Sequence, residues 1–527
     1  MRRLWVGVVL AAMVTAPAYG MAQDLAATLN SMVAEPAVAR AHWGVMVTAM
    51  DGTPIYGLNE GQFFQPASNA KLFTTAAAVH LLGEYRRFTT RVEGPHTSRQ
   101  GESTQQGDLR LIGAGDANLS GRTVPYARTE GSEQPKTDPL RYLGEMADGV
   151  VAQGVKRITG DIIGDDTLFP WEPYAADWAA DDLLWGYGAP VSALSVNDNQ
   201  IDLKITPAIH TGEPASVMLD PAVPFYTLRT VVRTMAKKAE AEVEIDRDPG
   251  SRMLHVGGTI AVGTGTDMEE IAIEDPAEYA AMAFKAMLEE RGVRIDGRAR
   301  AEHRKMEETG SFLHAVREPL PKLPIHAMGD VSRLMTGKVT INDANPVLVQ
   351  HTSPTVIEDI TIANKVSQNL HAELLLHQLG KVYGSDGSTA QGARVVRQFL
   401  LNAGLDKDDF VFYDGSGLSG HDLVTPRAVT KLLAYASTQP WFADWKSSLP
   451  VGGVDGSLEH RFTQPALKGH VFAKTGTLGE VRALSGYVEC ASGRTVIFTI
   501  LVDQHAPGTS ADREVMDRMV AAIAAAN

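Results

Sequence analysis

A chain of 527 residues, 44% of them hydrophobic, has room for more than one packed core. Its formal net charge of −15 argues against a nucleic-acid partner, and its single cysteine, Cys490, excludes an internal disulfide. The fifteen histidines form no H-E-x-x-H, and the pair in HAELLLH (371–377) has the wrong spacing for one helical face, so no metal or other cofactor is expected. The chain opens with Arg2, Arg3, the apolar run LWVGVVLAAMVTA and the small residues of APAYGMAQ. This pattern predicts a signal peptide over residues 1–22, cut after Ala22, and a periplasmic or otherwise extracytoplasmic protein. The run falls short of the ~20 residues that span a bilayer, so no transmembrane span is expected after cleavage.

HWGVMVTAMDGTPIYGLN then gives two strands around an Asp51-Gly52 turn. QPASNAKLFTTAAAVHLLG follows: Leu72, Ala76, Val79 and Leu82 recur at helical spacing, and Gly83 is a plausible stop. Ser68 and Lys71 therefore begin a mostly buried helix, three residues apart and on one face. From about residue 90 the texture changes to short β-like runs (RFTTRVEG, GDLRLIGAG, ITGDIIGDDTLF, ALSVNDNQIDLKITP, MLHVGGTIAV) and one amphipathic helix, PAEYAAMAFKAMLEERGV. Residues 90–349 read as an insertion that ends near an extended REPLPKLP linker. TVIEDITIANKVSQNLHAELLLHQLG reads as one long helix ending at Gly380. HVFAKTG, ALSGYVECAS and RTVIFTILVDQ read as successive strands, and SADREVMDRMVAAIAAAN as a closing helix. One α/β (α+β) domain built from residues 23–89 and 350–527, split by the insertion, accounts for this order.

Three short motifs carry the chemistry. Ser68-Asn69-Ala70-Lys71 is the only S-x-x-K, and Lys474-Thr475-Gly476, at the end of a predicted strand, is the only K-T-G. Ser367-Gln368-Asn369 shares the S-x-N pattern with Ser195-Val196-Asn197, but only Ser367 lies on a predicted helix near the return to the split domain. A serine is a poor nucleophile until a base takes its proton; Lys71 serves if burial and a nearby cation, Lys474, lower its pKa. Ser367 is a candidate proton relay, and Asn369 a group that orients Lys71 and the substrate. Lys474 and Thr475 suit a substrate carboxylate, and the N–H groups of Ser68 and Thr477 suit an oxyanion hole.

This set resembles the penicillin-recognising serine acyl-transferases, and over nearly the whole mature chain it resembles the low-molecular-mass class C penicillin-binding proteins, the D-alanyl-D-alanine carboxypeptidase/endopeptidase family. Besides the three motifs, GDLRLIGAGDANL, ITGDIIGDDTLF, APVSALSVNDN, YDGSGLS, LPVGGVDGSL and AKTGTL with VRALSGYV occur in the family's order, and Lys71 to Ser367 spans 367 − 71 = 296 residues. The resemblance implies a β-lactamase/transpeptidase-like domain, an antiparallel five-stranded sheet between helices, carrying two nested, mainly β or mixed inserted domains. It implies acylation of Ser68 by the penultimate D-Ala of a peptidoglycan stem peptide, release of terminal D-Ala, and covalent inhibition by β-lactam antibiotics. A serine β-lactamase and a non-catalytic peptidoglycan-binding protein are the competing readings. GLS is followed by Gly420 and His421, and KTGTL by Gly479, where relatives read the acyl-donor side chain. Asp165 in GDDTLF either reaches the site from the insertion or is a turn aspartate. The stretch 319–343 is longer than the family pattern implies.

Overall fold

The computed structural model describes residues 18–95, 103–127, 137–306, 311–320, 323 and 345–527. Residues 1–17 of the signal-like segment and most of the 319–343 stretch lie outside them.

Two distant parts of the chain build one sheet. Its antiparallel strands run in the order Val471–Leu478, Val481–Glu489, Thr495–Asp503, His42–Ala49 and Pro54–Leu58. The N-terminal hairpin closes where the Asp51 carboxylate accepts the Thr53 N–H at 2.9 Å and Gly52 takes a φ of 86°, a conformation open to glycine at little cost. The later strands are apolar along their length because both faces are covered. Ala483, Tyr487, Ile497 and Leu501 enter the core on one side, and Leu484, Val488, Val496, Phe498 and Ile500 the core on the other. Against the first face packs helix Pro426–Ser437, with Tyr487 Oη donating to the Leu433 carbonyl at 2.8 Å, and helix Ala70–Leu82, every residue of which is buried, shares that core. Against the second pack the terminal helices Ala18–Val33 and Ala511–Ala526, through Leu25, Leu29, Met519 and Ile523.

The long helix expected over 356–380 is two helices, Val356–Lys365 and Asn369–Tyr383. Both bury apolar residues in the same core, among them Ile360, Leu375 and Leu379, so the hydrophobic period runs on across the break and hides it. Local capping decides the break: the Gln368 side chain accepts the Leu370 N–H at 2.7 Å and starts the second helix. Between them Ser367 has a φ of 61°, a conformation rare for a residue with a Cβ.

The chain leaves this unit through strand Thr89–Glu93 and returns through Val347–Thr352, which pairs with it antiparallel. These two complete a mixed five-stranded sheet with Leu109–Ile112, Ile162–Pro170 and Ala299–Arg304. Two three-stranded sheets lie between Gln200 and Ala272. The core of this region gathers Leu111, Ile162, Ile201, Val256 and Phe284, apart from the cores that flank the first sheet.

Candidate active site

Ser68 sits in a single 3₁₀ turn, Ala67–Asn69, that leads directly into helix Ala70–Leu82. Ala67 before it has a φ of 44°, so the nucleophile stands on a sharp, sparsely populated bend. Two loops press on this bend. A Cβ at Gly417 would stand 1.8 Å from the Ala67 carbonyl oxygen, and one at Gly476 2.9 Å from the Pro66 carbonyl oxygen. Only glycine lets YDGSGLS and the K-T-G strand approach this closely.

Lys71, fully buried, reaches three oxygens: Ser68 Oγ at 2.9 Å, Asn369 Oδ1 at 2.6 Å and the Ser416 carbonyl at 2.8 Å. Three partners satisfy the three protons of an ammonium; a neutral amine can keep two of them and turn its lone pair to the Ser68 hydroxyl. Burial brings the Lys71 pKa down to about 7, with Asp414 and Glu373 opposing the shift. A lysine with its pKa lowered to this range is suited to take a proton from a serine hydroxyl.

Lys474 is also fully buried and donates to Ser367 Oγ at 2.8 Å and to the Thr475 carbonyl at 2.9 Å. Burial and then the nearby Lys71 push it well below the ordinary lysine range. It lies inside strand Val471–Leu478, not at the strand's end as the sequence suggested: Gly476 of K-T-G looks like a stop, but the ladder continues through it to Leu478. This strand is the edge of the sheet. Ala473 N–H leaves that edge for the Pro450 carbonyl, so two-residue alternation turns the N–H and C=O groups of Thr475 and Thr477 the same way. The Thr477 N–H therefore lies on the open edge, beside the turn that carries Ser68. Thr475 Oγ1 meets Ser457 Oγ at 2.7 Å.

Behind Lys71 lies a buried acidic layer absent from the sequence reading. Asp414 accepts N–H bonds from Gly417 and Ser419, both at 2.7 Å, and the Trp178 indole N–H at 2.9 Å. Glu373 accepts from Ser416 N at 2.8 Å and from Gly415 N at 3.0 Å, and burial followed by Asp414 raises its pKa. Asp422 is raised well above the carboxylate range by the same two causes. The signal was present: Glu373 follows Asn369 by one helical turn, and Asp414 and Ser416 lie inside YDGSGLS.

Asp165 does not join this group. Its carboxylate pairs with Arg110 at 2.5 Å and accepts from the Thr167 hydroxyl at 2.6 Å. Segment 176–187 meets the motifs directly: Asn369 Nδ2 donates to the Tyr187 carbonyl at 2.8 Å, and Ser419 Oγ to the Ala176 carbonyl at 2.8 Å. Ser195-Val196-Asn197 lies elsewhere, with Ser195 Oγ bonded to the Ser192 carbonyl. Gly420 and Gly479 line a cleft of about 520 Å³ with Asp177, Asp181, Asp182, Glu480 and Asp503. No metal-ligating cluster occurs among the described residues, and no helix among them is long and apolar enough to cross a membrane.

A serine held against a buried lysine, with a second buried lysine on the edge strand of a five-stranded antiparallel sheet, defines a serine acyl-transfer site on a β-lactamase/transpeptidase-like fold. The D-Ala-D-Ala carboxypeptidase 3 (S13) family description matches residues 25–333 and 325–526. A D-alanyl-D-alanine carboxypeptidase of Actinomadura sp. (strain R39) is 32% identical over 92% of this chain and 81% of its own length. Penicillin-binding protein 4 of Haemophilus influenzae superposes with a TM-score of 0.75 at 20% identity, covering 94% of this chain and 98% of that one. The same protein complexed with a β-lactam superposes with a TM-score of 0.69, covering 95% and 99%. The chain belongs to the D-Ala-D-Ala carboxypeptidase 3 (S13) family of serine-type hydrolases.

Proposed function

We propose that this protein acts on peptidoglycan stem peptides outside the cytoplasm, releasing terminal D-Ala and cleaving cross-links through an acyl-enzyme on Ser68. The catalytic unit in this reading is split, 23–89 with 350–527, and the inserted region spans 90–349. The signal-like residues 1–22 support export. The observation that carries the reading is the fully buried Lys71, 2.9 Å from Ser68 Oγ and 2.6 Å from Asn369 Oδ1.

Ser68 Oγ attacks the carbonyl carbon of the penultimate D-Ala while its proton passes to Lys71. The N–H groups of Ser68 and Thr477 receive the oxyanion. The C–N bond then breaks, the leaving amine takes a proton from Lys71 directly or by way of Ser367, and an ester on Ser68 remains. Water hydrolyses that ester and restores the serine. Lys474 and Thr475 of K-T-G bind the terminal carboxylate, and Gly476 keeps the strand close to the nucleophile. Glu373, Asp414 and Asp422, the carboxylates of this network, are buried and each already accepts a backbone N–H group. None is arranged to activate water, which favours a peptidase with long-lived penicilloyl esters over a β-lactamase.

A brief penicillin pulse followed by intact-protein mass spectrometry tests this. One adduct per chain is expected, persisting for minutes or longer, mapping to the Ser68 peptide and absent from Ser68→Ala. Purified muropeptides should lose D-Ala and, where cross-linked, separate. Rapid multiple-turnover β-lactam cleavage without an accumulating adduct or D-Ala release would establish the β-lactamase reading, and an adduct on Ser68→Ala would remove Ser68 from its role.

A further inference from the structure

Two motifs that the catalytic scheme leaves unused, GDANL (115–119) and SVNDN (195–199), converge on one histidine. His371 is completely buried, two residues beyond Asn369 on the same helix. Its Nδ1 meets Asp359 Oδ1 at 2.6 Å and its Nε2 meets Asp198 Oδ1 at 3.2 Å. Asp359 belongs to helix Val356–Lys365, so the Asp359–His371 bond spans the break that contains Ser367. Asp198 belongs to the inserted region and sits in a run of three left-handed residues, Asn197, Asp198 and Asn199, with φ of 51°, 55° and 56°. Asn199 braces that run by accepting the Val196 N–H at 3.0 Å and donating to the Pro190 carbonyl at 2.8 Å.

Every charged group facing the histidine is engaged. Arg122 Nε donates to Asp198 Oδ2 at 2.6 Å, and Asn118 Nδ2 donates to Asp359 Oδ1 at 3.2 Å. Asp116, whose Oδ1 accepts the Asn118 N–H at 2.8 Å, stands behind them, with its Oδ2 3.9 Å from His351 Nε2. His351 is depressed by burial and by Arg141. Burial and Asp359 raise the Asp116 carboxyl to about 7, and the carboxylates bonded to His371 are Asp198 and Asp359. These two overcome the burial of the imidazole and raise it to about 9. A buried cation flanked by two carboxylates resists displacement because removing any member leaves an unpaired charge out of water. The neighbouring contact from the inserted region, Tyr187 carbonyl to Asn369 Nδ2, bears on the same helix start.

We propose that His371 is a positioning residue through which the inserted region holds the Ser367–Asn369 bend in register with Lys71 and Lys474. Ser367 keeps its left-handed backbone because the helices on either side are tied together by Asp359–His371 and anchored to Asp198. The assignment rests on the acyl-enzyme reading above, and its readout is the rate of Ser68 acylation.

The test uses the full chain and a penicillin pulse followed by intact-protein mass spectrometry. Asp198→Asn should keep a cooperative melt and lose about 10- to 100-fold in acylation rate, the cost of misplacing a catalytic group by about 1 Å. His377→Gln is the control. His377 is buried on the same helix but bonds the Gly387 carbonyl at 2.7 Å, away from the bend, so this variant should lower the melting temperature and leave the acylation rate of folded protein unchanged. Arg122→Gln removes only the outer support of Asp198 and should give a smaller loss of the same kind. In wild-type protein the His371 ring resonances should titrate near 9, a readout that needs no variant. Acylation at the wild-type rate by folded Asp198→Asn or Arg122→Gln, or a His371 that is neutral below pH 7, overturns the proposal. Failure of the wild-type protein to acylate at all would instead overturn the acyl-enzyme reading.

Discussion

Lys71 and Lys474 flank one site and are buried to the same degree, yet their surroundings differ. Lys71 has three oxygen partners and, behind them, the carboxylates of Asp414 and Glu373; these hold its pKa at about 7 against burial. Lys474 has one hydroxyl and one carbonyl, no carboxylate bonded to it among the described residues, and the cation of Lys71 nearby. A buried amine with anions at its back is a tuned base. One without an anion is a receptor for an anion, since a bound carboxylate supplies the charge that its environment lacks. The link between Asp414 and Lys71 is two hydrogen bonds to one peptide unit: Lys71 donates to the Ser416 carbonyl, and the N–H of the same peptide unit, on Gly417, donates to Asp414.

The contrast is broken most severely by Lys71→Arg, which keeps a cation but cannot give up its proton. Acylation should fall by about 10²- to 10⁴-fold, the usual contribution of a general base. Stopped-flow acylation at neutral pH measures this, and a near-normal rate would mean that Lys71 acts only as a charge. Asp414→Asn makes the Lys71 side resemble the Lys474 side. Asp414 raises the Lys71 pKa, so removing its charge lowers that pKa. Acylation should rise with pH through about 7 in the wild-type protein as the amine loses its proton, and the same limb should move to lower pH in the variant. An unmoved limb in a folded Asp414→Asn would disconnect Asp414 from the base. The smallest effect is on Lys474 itself. Binding of a D-Ala-terminated peptide to Ser68→Ala should draw a fraction of a proton from solution, because the peptide carboxylate raises a pKa that burial and Lys71 hold down. Calorimetry in buffers of different ionisation enthalpy reads this directly, and binding without proton uptake would show that Lys474 is already charged.

The motif residues were readable in the sequence because the chemistry constrains their type and order, and the strands because each is a continuous apolar run bounded by turn residues. The break at Ser367 was not readable. Ile360, Leu375 and Leu379 keep one helical period while facing one core, and a period cannot register a change of direction that preserves the buried face. HAELLLH was legible only as a poor metal site. Its two histidines are both buried, but His371 lies between two carboxylates and is raised to about 9, whereas His377 lies against the Gly387 carbonyl and burial takes it down to about 4. Asp165 shows the same limit: from GDDTLF it could be a site residue or a turn aspartate, and the partner that takes its carboxylate, Arg110, lies 55 residues away in sequence.

The sequence by itself determined which serine and lysines are candidates for nucleophile and base, the order of the motifs and the strands of the five-stranded antiparallel sheet, because these depend on residue type and on spacing along the chain. The tertiary structure alone decided which buried charges meet. Asp414 behind Lys71 and Asp198 on His371 join segments from 173 to more than 300 residues apart. Coulomb and desolvation energies depend on distance and burial in space, and sequence separation carries no record of either.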